Sequence, residues 1–127
     1  ALRDIPIYGT THADHLPTPV PCTPLMADDR VENDYEAETG RQIVDCFAAR
    51  GLAPTVQQMA LVGGHGPFAW GATAAKAVYS ARVLEELAKM AFITETVNPR
   101  AQLLKPSIIN KHYLRKHGKD AYYGQQH

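Results

Sequence analysis

The stretch that most limits how this chain can fold is Met59–Gly71, MALVGGHGPFAWG. Met59, Ala60, Leu61 and Val62 form an apolar run of strand length, too short for a buried helix. Gly63 and Gly64 end it, His65 follows, and Gly66–Pro67 predict a turn with Phe68, Ala69 and Trp70 behind it. An imidazole therefore stands at the end of a core strand, where glycines let backbone come close to something. A lone histidine is most often a satisfied core or surface residue. The end of a rigid strand is also where scaffolds hold functional side chains. By itself the pattern names no reaction.

The rest of the chain supplies helices for such a strand to pack on. Asp34 or Asn33 caps a predicted helix over 34–50, with Glu36 and Glu38 in its first turns, where the helix dipole favours acid. Ile43, Val44 and Phe47 give it an apolar face, and Gly51 then Pro54 mark its end. The longest helix runs from about Thr73 to Thr96. Ala77, Ala81, Leu84, Ala88 and Ala91 recur along it at helical spacing, widened by Val83, Leu87 and Met90, and Asn98–Pro99 ends it. Arg82–Glu86 and Glu85–Lys89 are i,i+4 pairs on its polar side. A last helix is predicted from Ser107 to His117, with Pro106 before it and Gly118 after. Its basic run, Lys111, Arg115, Lys116 and Lys119, complements the C-terminal dipole. Ile5–Tyr8 reads as a short strand, and Val20–Thr23 as an edge or irregular one because of Pro19 and Pro21. Residues 27–33 read as a polar turn or one helical turn.

The chain has 127 residues, which suits one domain. Thirteen basic and thirteen acidic residues cancel, so charge gives no support for a nucleic-acid or anionic-membrane partner. No apolar run approaches the roughly 20 residues of a membrane span. Cys22 and Cys46 lack metal-ligand spacing and read as free thiols in a reducing compartment. The opening, ALRDIPIYG, lacks Met and resembles the middle of a domain, which predicts a processed or cut chain. The segment Thr10–His15, TTHADH, holds two hydroxyls, two imidazoles and a carboxylate in six residues. It reads equally as a solvated turn and as part of a site.

Gly9–His15 (GTTHADH), Tyr35–Gly40 (YEAETG), Gly64–Gly71 (GHGPFAWG), Lys111–Gly118 (KHYLRKHG) and Ala121–Gln125 (AYYGQ) occur in this order along essentially the whole chain. Together they resemble the L-ribulose-5-phosphate 4-epimerases of the class II aldolase/adducin-head family. The resemblance implies a three-layer α/β/α fold with a mixed central sheet, of which residues 1–127 would be only the C-terminal part. It implies a cytoplasmic homotetramer with sites between neighbouring subunits, and a divalent metal, normally zinc, held by three histidines and a carboxylate. Matched motif to motif, His65 is one of those histidines; the other ligands lie upstream in the family, so this chain alone is expected to be inactive. The alanine face of the long helix would then be partly uncovered, which predicts association with itself or with the missing half.

The implied reaction converts L-ribulose 5-phosphate to D-xylulose 5-phosphate, a step that serves arabinose and ascorbate breakdown. Direct inversion at C4 has no acidic C–H to exploit. Cleaving C3–C4 gives the enediolate of dihydroxyacetone and glycolaldehyde phosphate; turning the aldehyde and re-forming the bond inverts C4. The metal would stabilise the enediolate. Two acid/base groups are needed, one for each face of the aldehyde. The resemblance gives these roles to Asp14 and to Tyr123, which would reach the site of an adjacent subunit. It sets Thr10, Glu36 and His112 near the same site as substrate-binding or orienting groups. A carboxylate in a polar turn can accept a proton, and a tyrosine is a natural donor at neutral pH. Two alternatives stand beside this reading. A fuculose-phosphate-type aldolase would release the aldehyde. A non-catalytic, adducin-head-like interaction module would keep the fold without the metal.

Overall fold

The ends of the long helices are set by local capping and turn residues. In the computed structural model, which describes residues 1–123, α1 spans Thr10–Ala13, α2 Asp28–Val31, α3 Tyr35–Arg50, α4 Ala74–Val97 and α5 Pro106–His117. Asp34 caps α3 by accepting from the Ala37 N–H at 3.4 Å. Gly51, at φ +62, closes its other end in the left-handed conformation that favours glycine. Thr73 Oγ1 accepts from the Lys76 N–H at 3.2 Å at the start of α4. Pro106 occupies the first turn of α5, where its missing N–H would be unpaired in any case. The three long helices fall within a residue of their predicted bounds.

Their buried faces follow the apolar pattern only in part. On α3 the buried side chains are Glu38, Thr39, Gln42 and Phe47. Val44, predicted to be inside, is exposed, and Ile43 is half-buried. Burying polar groups is tolerable when they are paired. Glu38 bonds Arg41 and lies 3.5 Å from Arg30 Nε, Thr39 Oγ1 donates to the Tyr35 carbonyl at 2.8 Å, and Gln42 Nε2 donates to the Pro24 carbonyl at 2.8 Å, while Gln42 Oε1 is buried without a partner among the described residues. On α4 the buried stripe is Ser80, Leu84, Leu87 and Ala91. Ala81 is exposed, and Ala77 and Ala88 are half-buried. Both the predicted and the observed track pass through Leu84, Leu87 and Ala91. The stripe lies toward the leucines, because a leucine removes more apolar area from water than an alanine.

The central run forms a hairpin. β1, Met59–Val62, pairs antiparallel with β2, Gly66–Ala69, in the register Val62–Gly66, Leu61–Pro67, Ala60–Phe68 and Met59–Ala69. The predicted turn at Gly66–Pro67 is therefore the start of a strand, and the turn itself is Gly63–His65, closed by the His65 N–H on the Val62 carbonyl at 3.0 Å. Proline is harmless in β2 because Leu61, opposite it, bonds on its other side. The Leu61 N–H donates to the Pro21 carbonyl at 2.8 Å, and its carbonyl accepts from Thr23 at 2.9 Å. Pro67 faces a position that asks nothing of its missing N–H. The predicted strands at 5–8 and 20–23 appear as single bridges, Ile5–Val20 antiparallel and Cys22–Leu61 parallel. Among the described residues the sheet has two strands.

The close approach expected at the glycines is an internal one. The Gly63 N–H donates to Thr23 Oγ1 at 3.0 Å. A Cβ on Gly63 would sit 2.7 Å from the Thr23 carbonyl oxygen and 2.8 Å from that of Pro24. Both are backbone atoms and cannot swing away. Gly63→Ala is expected to destabilise the fold by about 1–3 kcal/mol, read as a lower urea midpoint; an unchanged midpoint would show that this backbone yields.

Two compact units make up the chain, one of Ala1–Ile5 with Val20–Glu86, the other of Pro6–Pro19 with the residues from Leu87 onward. In the first, Ile5, Val20, Phe47, Met59, Ala60, Val62 and Leu84 are buried. In the second, Ile7, Ala13, Leu16, Leu87 and Ala91 are buried. There α1 packs on α5, and the Ile7 carbonyl accepts from the Leu104 N–H at 2.8 Å. Both cysteines are free. Among the described residues no helix is long and apolar enough to cross a membrane.

Candidate functional site

The second unit gathers the titratable residues of two distant segments. α1 is one turn long and begins after Gly9. The Asp14 N–H donates to the Thr10 carbonyl at 2.8 Å, which ends the turn and sets the carboxylate at its edge. On α5, His112 and Arg115 are three residues apart and so share a face. That face meets Asp14. His112 Nδ1 lies 2.9 Å from Asp14 Oδ1. Arg115 donates through Nη2 to Oδ1 at 3.1 Å and to Oδ2 at 3.2 Å, and through Nε to Oδ1 at 3.3 Å. His117 Nε2 reaches the Asp14 carbonyl at 3.0 Å.

Electrostatics follow from these partners. Burial works against the charge on Asp14, but the hydrogen bonds from His112 and Arg115 and the nearby charges of Arg115 and Lys116 outweigh it. The carboxyl is held below its ordinary range and stays ionised at neutral pH. The guanidinium of Arg115 also lies over the ring of Tyr123, 4.1 Å from its centroid, and Lys116 Nζ is 5.7 Å from the same ring. Asp14, His112 and Tyr123 thus meet around Arg115. Tyr123 meets them within its own chain. Gly124 and Gln125, the end of the AYYGQ motif, lie outside the described residues.

The remaining candidate residues are placed differently. Thr10 is exposed beside the cluster and contributes its carbonyl to the α1 turn. Glu36 and His65 belong to the first unit. Glu36 is exposed in the first turn of α3. His65 is exposed at the hairpin turn, its ring 5.2 Å from that of Phe68 and stacked at 6.4 Å with that of Tyr35. Among the described residues no three His, Cys, Asp or Glu side chains stand where they could share a metal ion. A single imidazole does not hold a divalent ion against water. The donor set of the described residues therefore does not fit a metal on its own.

Two residues of the cluster escaped the sequence reading. Arg115 belongs in sequence to the basic run that complements the end of α5, yet its side chain is only 23% exposed and its fork is spent on Asp14. Its i,i+3 spacing from His112 was the signal available. His117, at the end of the same helix, carried none.

Residues 1–92 match the family described as Class II Aldolase and Adducin N-terminal domain. The chain is 43% identical over 122 residues to the L-ribulose-5-phosphate 4-epimerase UlaF of Salmonella paratyphi C (strain RKS4594), an alignment covering 96% of this chain and 53% of that protein. The protein of the same name from Salmonella choleraesuis (strain SC-B67) matches with the same identity and coverage. The chain spans about half the length of the curated relatives it matches.

Proposed function

The chain belongs to the class II aldolase and adducin family, and from that premise we propose that it is part of an isomerase that inverts C4 of L-ribulose 5-phosphate to give D-xylulose 5-phosphate. The observation that carries the reading is the pairing of Asp14 and Tyr123 around one guanidinium. An ionised carboxylate and a phenol are the two proton carriers that an aldol route to C4 inversion requires, one for each face of the aldehyde. Asp14 takes the C4 hydroxyl proton as C3–C4 breaks on one face. Tyr123 returns a proton to the C4 oxygen as the bond re-forms on the other. His112 orients the Asp14 carboxylate through Oδ1. Thr10 and Glu36 belong to the reading as substrate-side groups. His65 belongs to it as a donor toward zinc.

The same reading gives the hairpin a place in a larger mixed sheet of a three-layer α/β/α fold, of which this chain is the C-terminal part. It also implies a cytoplasmic homotetramer with sites between subunits. Inversion is tested in the complete protein by following D-xylulose 5-phosphate formation while trapping free aldehyde. Inversion without released aldehyde supports the proposal; stoichiometric aldehyde release replaces it with an aldolase. The 127-residue chain by itself is expected to give no turnover, because no three ligand-type side chains gather around a metal position among the described residues. Turnover by the purified chain with no other polypeptide present would overturn that expectation.

A further inference from the structure

We infer that Arg115 is a positioning residue that fixes both proton carriers at once, clamping the Asp14 carboxylate with its edge and seating the Tyr123 ring on its face. The inference rests on the proposed roles of Asp14 and Tyr123. A guanidinium is planar, with donors around its edge and two faces free to stack. Arg115 uses both features. Three hydrogen bonds run from its edge to Asp14, two to Oδ1 and one to Oδ2. Its central carbon, Cζ, lies over the Tyr123 ring 4.1 Å from the centroid, in the range of a cation–π contact. One rigid group therefore sets the separation between the carboxylate and the phenol ring.

Nothing else described at the cluster does both. His112 holds a single Asp14 oxygen. Lys116 is a point charge on a flexible stem, 5.7 Å from the ring centroid. The groups facing Asp14 from α5 are His112, Arg115 and Lys116, with His117 at its backbone oxygen. From its own segment, His12 is buried against the Thr18 carbonyl and His15 Nδ1 is turned to the Thr11 carbonyl. Of these, Arg115 alone engages both carboxylate oxygens. A basic residue serving only the helix dipole would extend into solvent, whereas this one is turned onto α1.

The test is made in the complete protein with Arg115→Gln and Arg115→Lys, measuring melting temperature, kcat, KM and the pH profile of kcat/KM. Misplacing a reacting group by an ångström costs about 100-fold, so Arg115→Gln is expected to lower kcat by about that factor with KM little changed. Its acid limb should move to higher pH, because Asp14 loses its fork. Arg115→Lys keeps the charge without the fork, and should recover part of kcat with a limb between the two. A mere structural brace would lower the melting temperature and the active fraction without moving the limb. An unmoved limb, or wild-type kcat in Arg115→Gln, overturns the inference. Should Arg115→Gln fail to fold, the limb of Arg115→Lys decides in the same way. Asp14→Asn in the same series separates the two claims. Wild-type turnover there removes Asp14 as a proton carrier and takes the inference with it. Lost turnover there with an unmoved limb in the Arg115 variants overturns the inference alone.

Discussion

Replacing Asp14 by Asn in the complete protein is expected to cut turnover of L-ribulose 5-phosphate by about 10²–10⁴-fold, the range lost when a positioned acid or base is removed. Asparagine has nearly the same shape as aspartate and can still accept from Arg115 and His112 through its one oxygen. It cannot take up the proton that C4 must lose. The substitution thus separates chemistry from architecture. The α1–α5 contact should survive, so substrate affinity and the melting temperature should change far less than kcat. Tyr123→Phe should behave alike, since phenylalanine can still stack on the Arg115 guanidinium but has no proton to give. If Asp14→Asn turned over within a few-fold of wild type, the ionised carboxylate would be only a brace between α1 and α5, and the proton would have to move through another group.

How far the sequence foretold these features depends on whether their causes are local. Helices α3, α4 and α5 were legible to within a residue because caps, Pro106 and Gly51 act over one turn. The phase of the buried face of α3 was not. Glu38, Thr39 and Gln42 can be buried only because Arg30, the Tyr35 carbonyl and the Pro24 carbonyl receive them, and periodicity carries no record of such partners. Strand β2 was hidden for a similar reason. Pro67 argues against a strand until Leu61 is seen to bond to residues 21 and 23 instead. Gly63 announced a close approach, but the atoms approached lie forty residues away in Thr23. In the cluster, Asp14, His112 and Tyr123 came from motif resemblance. Arg115 did not, because a basic residue near a helix C-terminus already has a local explanation, and that explanation concealed a partner on α1.

Lowering the pH from 7 to about 4.5 is expected to strip the second unit of most of about 3 kcal/mol of stability through one residue, His12. Its side chain is buried, with Nε2 3.2 Å from the Thr18 carbonyl. Burial is the largest influence and drives its pKa down from the ordinary 6.5 to about 4, against the pull of the Thr18 and Pro6 carbonyls and with some help from His15. Between those two values the unfolded chain binds a proton that the folded chain does not. Stability is therefore whole above about 6.5, falls as the pH drops, and levels off below about 4. The gap of two to three pH units, at about 1.4 kcal/mol each, gives the figure above. Asp14 adds a loss of the same sign at lower pH, because its carboxyl is held below the ordinary range and its contribution disappears only as it protonates. Stopping at pH 4.5 keeps the two apart. Urea unfolding at pH 7 and pH 4.5 reads the effect, and His12→Gln identifies its source: glutamine can donate to the Thr18 carbonyl yet does not titrate. Wild type should lose most of that stability across the interval and the variant little. Equal losses in both would place the acid sensitivity elsewhere and show that the folded protein opens enough to solvate His12 before it charges.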